Sequence, residues 1–133
     1  MMTKEARSYR AQGLVIRHRE FGEADRILTL YTLEKGKLQA IAKGVRKMKS
    51  RKAGHLEPFT QVTLQLAKGR NLEVVTQVET MRNFSNIREN LKLTALSAYV
   101  VELLDRFTYE EGENRSLYNL VVETLARLDG GVA

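Results

Sequence analysis

A β-hairpin is predicted over residues 26–43, which read RILTLYTLEKGKLQAIAK. The first half, RILTLYTL, is apolar on both faces, as expected of a buried strand rich in β-branched and aromatic residues. The segment EKGK then predicts a turn, in which Gly36 supplies the backbone freedom that a tight reversal requires. The second half, KLQAIAK, returns as the partner strand.

Three further strands are predicted on either side of this hairpin. Residues 9–19 are rich in aliphatic side chains, residues 59–67 alternate between apolar and polar side chains, and residues 72–80 follow after the turn KGRN. Five strands between residues 9 and 80, joined by mostly short turns, favour a small antiparallel barrel or sandwich.

After residue 83 the apolar side chains recur every three or four positions, which predicts amphipathic helices. The first apolar stripe consists of Leu93, Leu96, Val100, Leu103, Leu104 and Phe107, and it ends at EEGEN. The second consists of Leu117, Leu120, Val121, Leu125 and Leu128, and it ends at Gly130 and Gly131. Other apolar side chains, among them Tyr99, Val101 and Tyr118, lie off these stripes and require the sheet or further chain to cover them. We therefore expect a sheet domain over residues 1–82 and the start of a truncated helical domain over residues 83–133.

One basic segment accounts for the net charge of +6. Residues 43–52, KGVRKMKSRK, contain no acid, and outside this segment cations and acids are equally frequent in the chain. Its cations are Lys43, Arg46, Lys47, Lys49, Arg51 and Lys52. Such a local cluster predicts an exposed loop that binds a polyanion, with nucleic acid and anionic membrane as the candidates. Mutual repulsion among the cations and the neighbouring small sheet favour nucleic acid over a merely solvated surface.

Composition limits the classes of protein to which this chain can belong. The 133 residues suffice for one ordinary domain with a core, and the absence of cysteine excludes disulfides and thiolate metal sites within them. The polar beginning, MMTKEARSYR, does not resemble a signal peptide, and no segment approaches the roughly 20 apolar residues of a membrane span. We expect a soluble protein of the cytoplasm.

Few residues suggest catalysis, so we do not expect an enzyme and expect no cofactor or metal. The two histidines, His18 and His55, lie in different segments without ligands at metal-binding spacing. Three carboxylates, Glu20, Glu23 and Asp25, could hold Mg²⁺ for phosphoryl transfer, but a turn also favours Asp for backbone reasons. The segment AKGVRKMKS lacks the spacing of a phosphate-binding nucleotide loop.

Single-strand binding usually involves aromatic side chains on which bases stack. Phe21, in the turn after the first strand, and Tyr31, within the second, are the candidates. Ordinary packing is the alternative for both. With so few aromatic residues, the interface would rely on backbone charge and read little sequence.

Residues 13–66 closely resemble the N-terminal region of the bacterial RecO recombination mediators. The resemblance rests on the ordered motifs R-x-x-GE-x-DRILTL, the G-[KR]-L hairpin, the AKG-[AV]-R basic loop and L-x-PF, and it continues through SAYVVELLDRF in the helical part. The motifs are specific in combination rather than singly. The resemblance implies an α+β architecture, in which a five-stranded antiparallel OB-fold precedes the helices.

The resemblance also implies a function. RecO proteins bind single- and double-stranded DNA, anneal strands coated by single-stranded-DNA-binding protein, and act with RecR to load RecA in DNA repair and recombination. It implies that all six cations of the basic segment are DNA contacts. It adds four cations on or beside the same strands: Arg17, Arg26, Lys68 and Arg70. It further suggests a bacterial, nucleoid-associated protein in the cytoplasm.

Two alternatives stay open at this point. The chain could be a protein-interaction adaptor whose helices and basic loop dock the acidic tail of a partner, or a carboxylate-dependent nuclease. RecO proteins continue well past the second helix, and many carry a four-cysteine zinc motif there. We therefore expect this sequence to be part of a longer protein, whose zinc content it leaves open.

Overall fold

The computed structural model describes residues 7–47, 50–108 and 112–130. Within these ranges five strands come first: β1 (Ser8–Phe21), β2 (Asp25–Thr32), β3 (Gly36–Ala42), β4 (Gln61–Ala67) and β5 (Glu73–Arg82). The helices α1 (Ser85–Arg88), α2 (Leu91–Phe107) and α3 (Arg115–Asp129) follow. The predicted succession of five strands and two long helices is confirmed, and the single-turn helix α1 is an addition.

The strands form a closed barrel in the order β1-β2-β3-β5-β4, and β4 pairs back onto β1. The prediction of a wholly antiparallel sheet is wrong at one pair, because β3 and β5 run parallel through Ala40–Glu73 and Ile41–Val74. A closed ring with an odd number of strands cannot alternate direction at every neighbour, so one parallel pair is required. This arrangement is the OB-fold.

Aliphatic side chains from all five strands fill the barrel interior. The first core cluster includes Val15, Leu28, Leu38, Leu64 and Val75. Two residues from outside the strands, Val45 and Leu56, are also fully buried in it. Both belong to the segment that connects β3 to β4, so this segment closes one end of the barrel.

The helices pack on the outer surface of the barrel through a face that only partly matches the predicted apolar stripes: Leu104, Val121 and Leu125 of those stripes are buried, together with residues that lie off them. Val101, Leu104 and Tyr118 are buried, whereas Leu103 and Phe107 of the predicted stripe are exposed. The barrel provides the apolar surface for this contact through Leu14, Ile16 and Tyr31. Helix periodicity alone could not show which of two apolar faces would meet the sheet.

Asparagine side chains cap the two long helices. The Oδ1 atoms of Asn90 and Asn114 accept hydrogen bonds from the N–H groups of Leu93 and Leu117, each at 3.0 Å, which satisfies backbone donors that have no partner within the helix. None of the helices in the described ranges is long and apolar enough to cross a membrane.

Candidate nucleic-acid interface

The basic loop, residues 43–60, is anchored at both ends of its cationic part. Val45 and Leu56 insert into the barrel, and the N–H of Gly44 donates to Oδ1 of Asp25 at 2.7 Å. Gly44 has a φ of +68°, a left-handed conformation that favours glycine, at the point where the chain leaves β3. Its cations are therefore presented by a backbone held against the barrel rather than by a free tether.

Arg46 serves the fold of this loop. Its guanidinium donates to the carbonyl oxygens of Gly22 at 2.7 Å, Asp25 at 3.1 Å and Phe21 at 3.4 Å, and it lies 3.3 Å from Glu20. The side chain thus joins the basic loop to the turn between β1 and β2. Arg46 was predicted as a DNA contact, and its donors are engaged by this turn and by Glu20.

The second half of the loop lies across β5. Nζ of Lys52 donates to the carbonyl of Val75 at 3.3 Å, and the N–H of Thr80 donates to Nδ1 of His55 at 3.1 Å. A short 3₁₀ turn over Ala53–His55 links these two contacts. A carbonyl does not neutralise an ammonium group, so Lys52 keeps its charge at the surface.

Three loop cations are open to solvent. Lys43, Lys47 and Arg51 are exposed, and their side chains have neither an ion-pair nor a hydrogen-bond partner among the described residues. Lys49 was also predicted as a contact and lies outside the described residues. These three exposed cations form what we call the loop cations.

The predicted strand cations are less available. An ion pair with Asp105 of α2 engages Arg17, and Arg26, whose side chain is 13% exposed, lies 3.5 Å from Glu57. Lys68 and Arg70 are exposed but follow the end of β4, whereas the basic loop precedes its start. The loop nevertheless runs back along β5, since Lys52 donates to the carbonyl of Val75, which pairs with Leu66 near that end of β4. The structure thus does not bring all the predicted cations to one surface.

The two predicted stacking residues differ in exposure. Phe21 is 47% exposed and lies beside Arg46, which donates to its carbonyl, so its ring is open to a base next to the basic loop. Tyr31 is 1% exposed, and its ring centroid lies 6.3 Å from that of Tyr118 beneath the helices. Stacking of a base on Tyr31 is therefore corrected to a packing role.

The three carboxylates considered as an alternative metal site have separate roles in the part of the chain that the structure describes. Asp25 accepts a hydrogen bond from the loop backbone and Glu20 pairs with Arg46, while Glu23 is exposed. No group of three His, Asp or Glu side chains among the described residues is placed to hold a metal ion. The two histidines are apart as well, since His18 lies near Glu57 and His55 contacts Thr80.

Sequence reasoning missed three polar residues on the barrel surface: Arg10, Arg19 and His55. Arg10 and Arg19 are exposed on β1, and neither side chain has a hydrogen-bond or ion-pair partner among the described residues. The alternation of β1 could have indicated Arg19, which lies two positions from Arg17. Nothing in the linear sequence indicated that His55 would meet β5.

The closed five-stranded barrel and the exposed cations at one end define an OB-fold domain with a positively charged loop. Residues 4–84 match the family model described as Recombination protein O N terminal. The chain therefore belongs to the Recombination protein O family.

Relatives extend the match beyond the barrel. The chain is 41% identical over 127 residues to a DNA repair protein RecO of Roseiflexus sp. (strain RS-1), covering 96% of this chain and 44% of the relative. It is 42% identical over 125 residues to the protein of the same name from Pelotomaculum thermopropionicum, covering 94% and 49%. The chain thus spans about half the length of these relatives. A chain in the crystal structure of the S. pombe Stn1-ten1 complex is 12% identical, with a TM-score of 0.43 over 73% of this chain and 77% of that chain.

Proposed function

We propose that this chain is the DNA-binding part of a recombination mediator that anneals complementary single strands and helps to load the recombinase during DNA repair. The observation that carries the proposal is the set of loop cations, Lys43, Lys47 and Arg51, which are exposed on an anchored loop and unpaired within the described residues. Membership of the Recombination protein O family and the names of the relatives support a role in DNA repair and recombination.

The physical basis of annealing is the repulsion between two phosphate chains. Cations that replace the counterions of each strand lower this repulsion, while base pairing supplies the specificity. Because the loop presents charge rather than groups that read base edges, it suits any strand and also duplex DNA. Annealing makes and breaks no covalent bond, so the proposal requires no catalytic residue and no metal or other cofactor.

The same proposal includes partners. Single-stranded-DNA-binding protein would present the coated strand, and RecR would join the mediator for recombinase loading in the bacterial cytoplasm at the nucleoid. These partners follow from the resemblance to RecO proteins, and we assign no residues to them.

The proposal is tested with the triple variant in which the loop cations are replaced: Lys43→Gln, Lys47→Gln and Arg51→Gln. Binding of labelled oligo(dT) is followed by fluorescence anisotropy over a range of KCl concentrations, and annealing by energy transfer between complementary labelled oligonucleotides. Three lost phosphate contacts should make the slope of log affinity against log salt shallower by about 2, at about 0.7 for each contact with single-stranded DNA.

A matched control removes the same charge from the helices through Lys92→Gln, Arg115→Gln and Arg127→Gln. These side chains are exposed on α2 and α3, so the control should bind and anneal as the original chain does. Equal losses in the two triple variants would show that only net charge matters and would contradict the proposed interface. Absence of DNA binding by the original chain would overturn the function itself.

A second candidate function is a protein-interaction adaptor. It is favoured by exposed apolar side chains on the helices, where Leu91 is 87%, Phe107 79% and Tyr99 62% exposed. In this alternative the basic loop binds the acidic tail of a partner protein while the helices bind the rest of that partner. An adaptor would bind an acidic peptide at moderate salt and leave bare oligonucleotides unbound, whereas the proposed mediator binds the oligonucleotides.

A further inference from the structure

The helices occupy part of the surface on which OB-folds usually bind their ligands. That surface is formed by β2, β3 and the neighbouring loops. Here the cross-strand row Leu14–Tyr31–Lys37 lies against the helices, and both Leu14 and Tyr31 are fully buried. Asp105 of α2 pairs with Lys37 at 3.0 Å and also with Arg17, so both cations on this surface have an internal partner.

A groove that contains cationic and neutral polar side chains lies on the other side of the barrel, over β4 and β5. It has a volume of about 860 Å³. The strand register places Arg10 of β1 opposite Gln65 of β4, and Gln65 opposite Gln77 of β5, so the three side chains form one row across the groove. The anchored second half of the basic loop lines the end of the groove through Arg51, Lys52 and His55.

His55 is held with one ring nitrogen directed at β5. Nδ1 lies 3.1 Å from the N–H of Thr80, which donates to it, and 2.6 Å from the Thr80 hydroxyl oxygen. A ring nitrogen that accepts from a backbone N–H carries no proton, so the proton of the neutral imidazole is on Nε2. Nε2–H has no partner among the described residues, and it is therefore a donor available to a ligand in the groove.

The chemistry of the groove favours a phosphodiester backbone. Three cations line it, Arg10, Arg51 and Lys52, against the single carboxylate of Glu79. Amide and hydroxyl side chains of Gln77 and its neighbours also line it, and no aromatic ring other than His55 is present in its lining. Cations with neutral donors suit the sugar–phosphate chain, whereas bound bases would require stacking rings.

We infer that this β4–β5 groove is a second binding surface for single-stranded DNA, and that a strand bound at the loop cations continues into it past Arg51. Phosphates in the groove accept hydrogen bonds from Arg10, Arg51 and Nε2 of His55. The inference rests on the proposed function, because the strand is the same one that the loop cations bind. It routes that strand along β4 and β5 rather than across β2 and β3.

The first test uses Arg10, which belongs to the groove and lies outside the loop. Arg10→Gln should make the salt slope of oligo(dT) binding shallower by about 0.7, the value for one phosphate contact. The matched control Arg115→Gln removes an equal charge from the start of α3 and should leave the slope unchanged. Identical slopes for the Arg10→Gln variant and the original chain would contradict the groove.

The second test locates the strand directly, since a chain without cysteine allows one reactive thiol to be placed at will. A photoactivatable aryl azide is attached to Gln77→Cys in the groove, to Glu23→Cys beside the basic loop, or to Asn119→Cys on α3. All three positions are exposed. We expect crosslinks to labelled oligo(dT) from Gln77→Cys and Glu23→Cys, and none from Asn119→Cys.

The outcomes separate the inference from the function on which it rests. Crosslinking from Glu23→Cys without crosslinking from Gln77→Cys would overturn the groove and leave the loop interface standing. If the unmodified chain does not bind oligo(dT), the function and the groove fail together. Equal crosslinking from Asn119→Cys would indicate non-specific contact and would also overturn the groove.

Discussion

Two neighbouring cations of the basic loop should respond to substitution in opposite ways. Arg46 is bound to three backbone carbonyls and lies near Glu20, whereas Lys47 is exposed and has no side-chain partner in the described ranges. Replacing either by Gln removes one positive charge. We therefore expect Arg46→Gln to affect stability and Lys47→Gln to affect DNA binding.

The size of the stability effect follows from the contacts of the guanidinium. Hydrogen bonds to charged groups contribute about 1.5–3 kcal/mol each. Phe21, at the end of β1, and Gly22, in the turn that follows, are exposed, so their carbonyls can bind water once the arginine is gone. Only part of the summed hydrogen-bond energy is therefore lost. We expect Arg46→Gln to lower the free energy of unfolding by about 2–3 kcal/mol, or Tm by about 10 °C. Lys47→Gln should stay within about 0.5 kcal/mol of the original chain.

The effect on DNA binding should be reversed. Lys47→Gln removes an exposed cation and should make the salt slope for oligo(dT) shallower by about 0.7. Arg46→Gln removes a charge that the turn already engages and should leave the slope unchanged at temperatures where the variant is folded. Urea unfolding followed by circular dichroism gives the stabilities, because the chain has no tryptophan for fluorescence. Equal slope changes in a pair of equally stable variants would refute the assignment of Arg46 to the fold.

Three further predictions test the barrel and its contact with the helices. Asp105→Asn removes the carboxylate that pairs with Arg17 and Lys37 on the β2–β3 side of the barrel. Because the inferred path of the strand runs along β4 and β5, anisotropy should show nearly unchanged oligo(dT) affinity, and a severalfold rise at low salt would contradict that path. Burial raises the pKa of Tyr118 to about 12 from 10.0, so the folded form holds this proton longer and stability should fall between pH 10 and 12 by about 1.4 kcal/mol per unit. Tyr118→Phe should reduce this alkaline loss in urea titrations, and an equal loss in both proteins would contradict it. Gly36 has a φ of +73°, and a methyl group added there would meet the backbone of Gly112, so Gly36→Ala should destabilise the chain by more than about 2 kcal/mol. Gly22 has a similar φ of +61° but open space around it, so Gly22→Ala should cost about 1 kcal/mol. Similar Tm values for the two variants would contradict the close approach of Gly36 to Gly112.

The strands could be predicted because their signals are local. The hairpin over residues 26–43 shows its apolar strands and its glycine turn within eighteen residues, and each end of the observed strands β2 and β3 differs from the predicted end by one residue. The parallel pairing of β3 with β5 was not predictable in the same way. It depends on closure of the barrel, which no single segment encodes.

The site was predicted less completely, because charge in a sequence does not show what each cation contacts. Lys47 and Arg46 are adjacent and chemically similar, yet only Arg46 reaches the β1–β2 turn. Tyr31 is hidden by helices that begin sixty residues later in the chain. His55 gains its role from Thr80, twenty-five residues away, through a contact that only the folded barrel creates.

The two buried anchors of the basic loop, Val45 and Leu56, separate the requirements of folding from those of charge. The described positions between them, residues 46–47 and 50–55, are exposed or partly exposed, so their side chains can vary without opening the core. Single substitutions in this segment, natural or engineered, could thus change the affinity for a polyanion one residue at a time while the fold stays the same. Arg46 is the exception among the described cations of the segment, because its substitution would also remove the hydrogen bonds that join the loop to the β1–β2 turn.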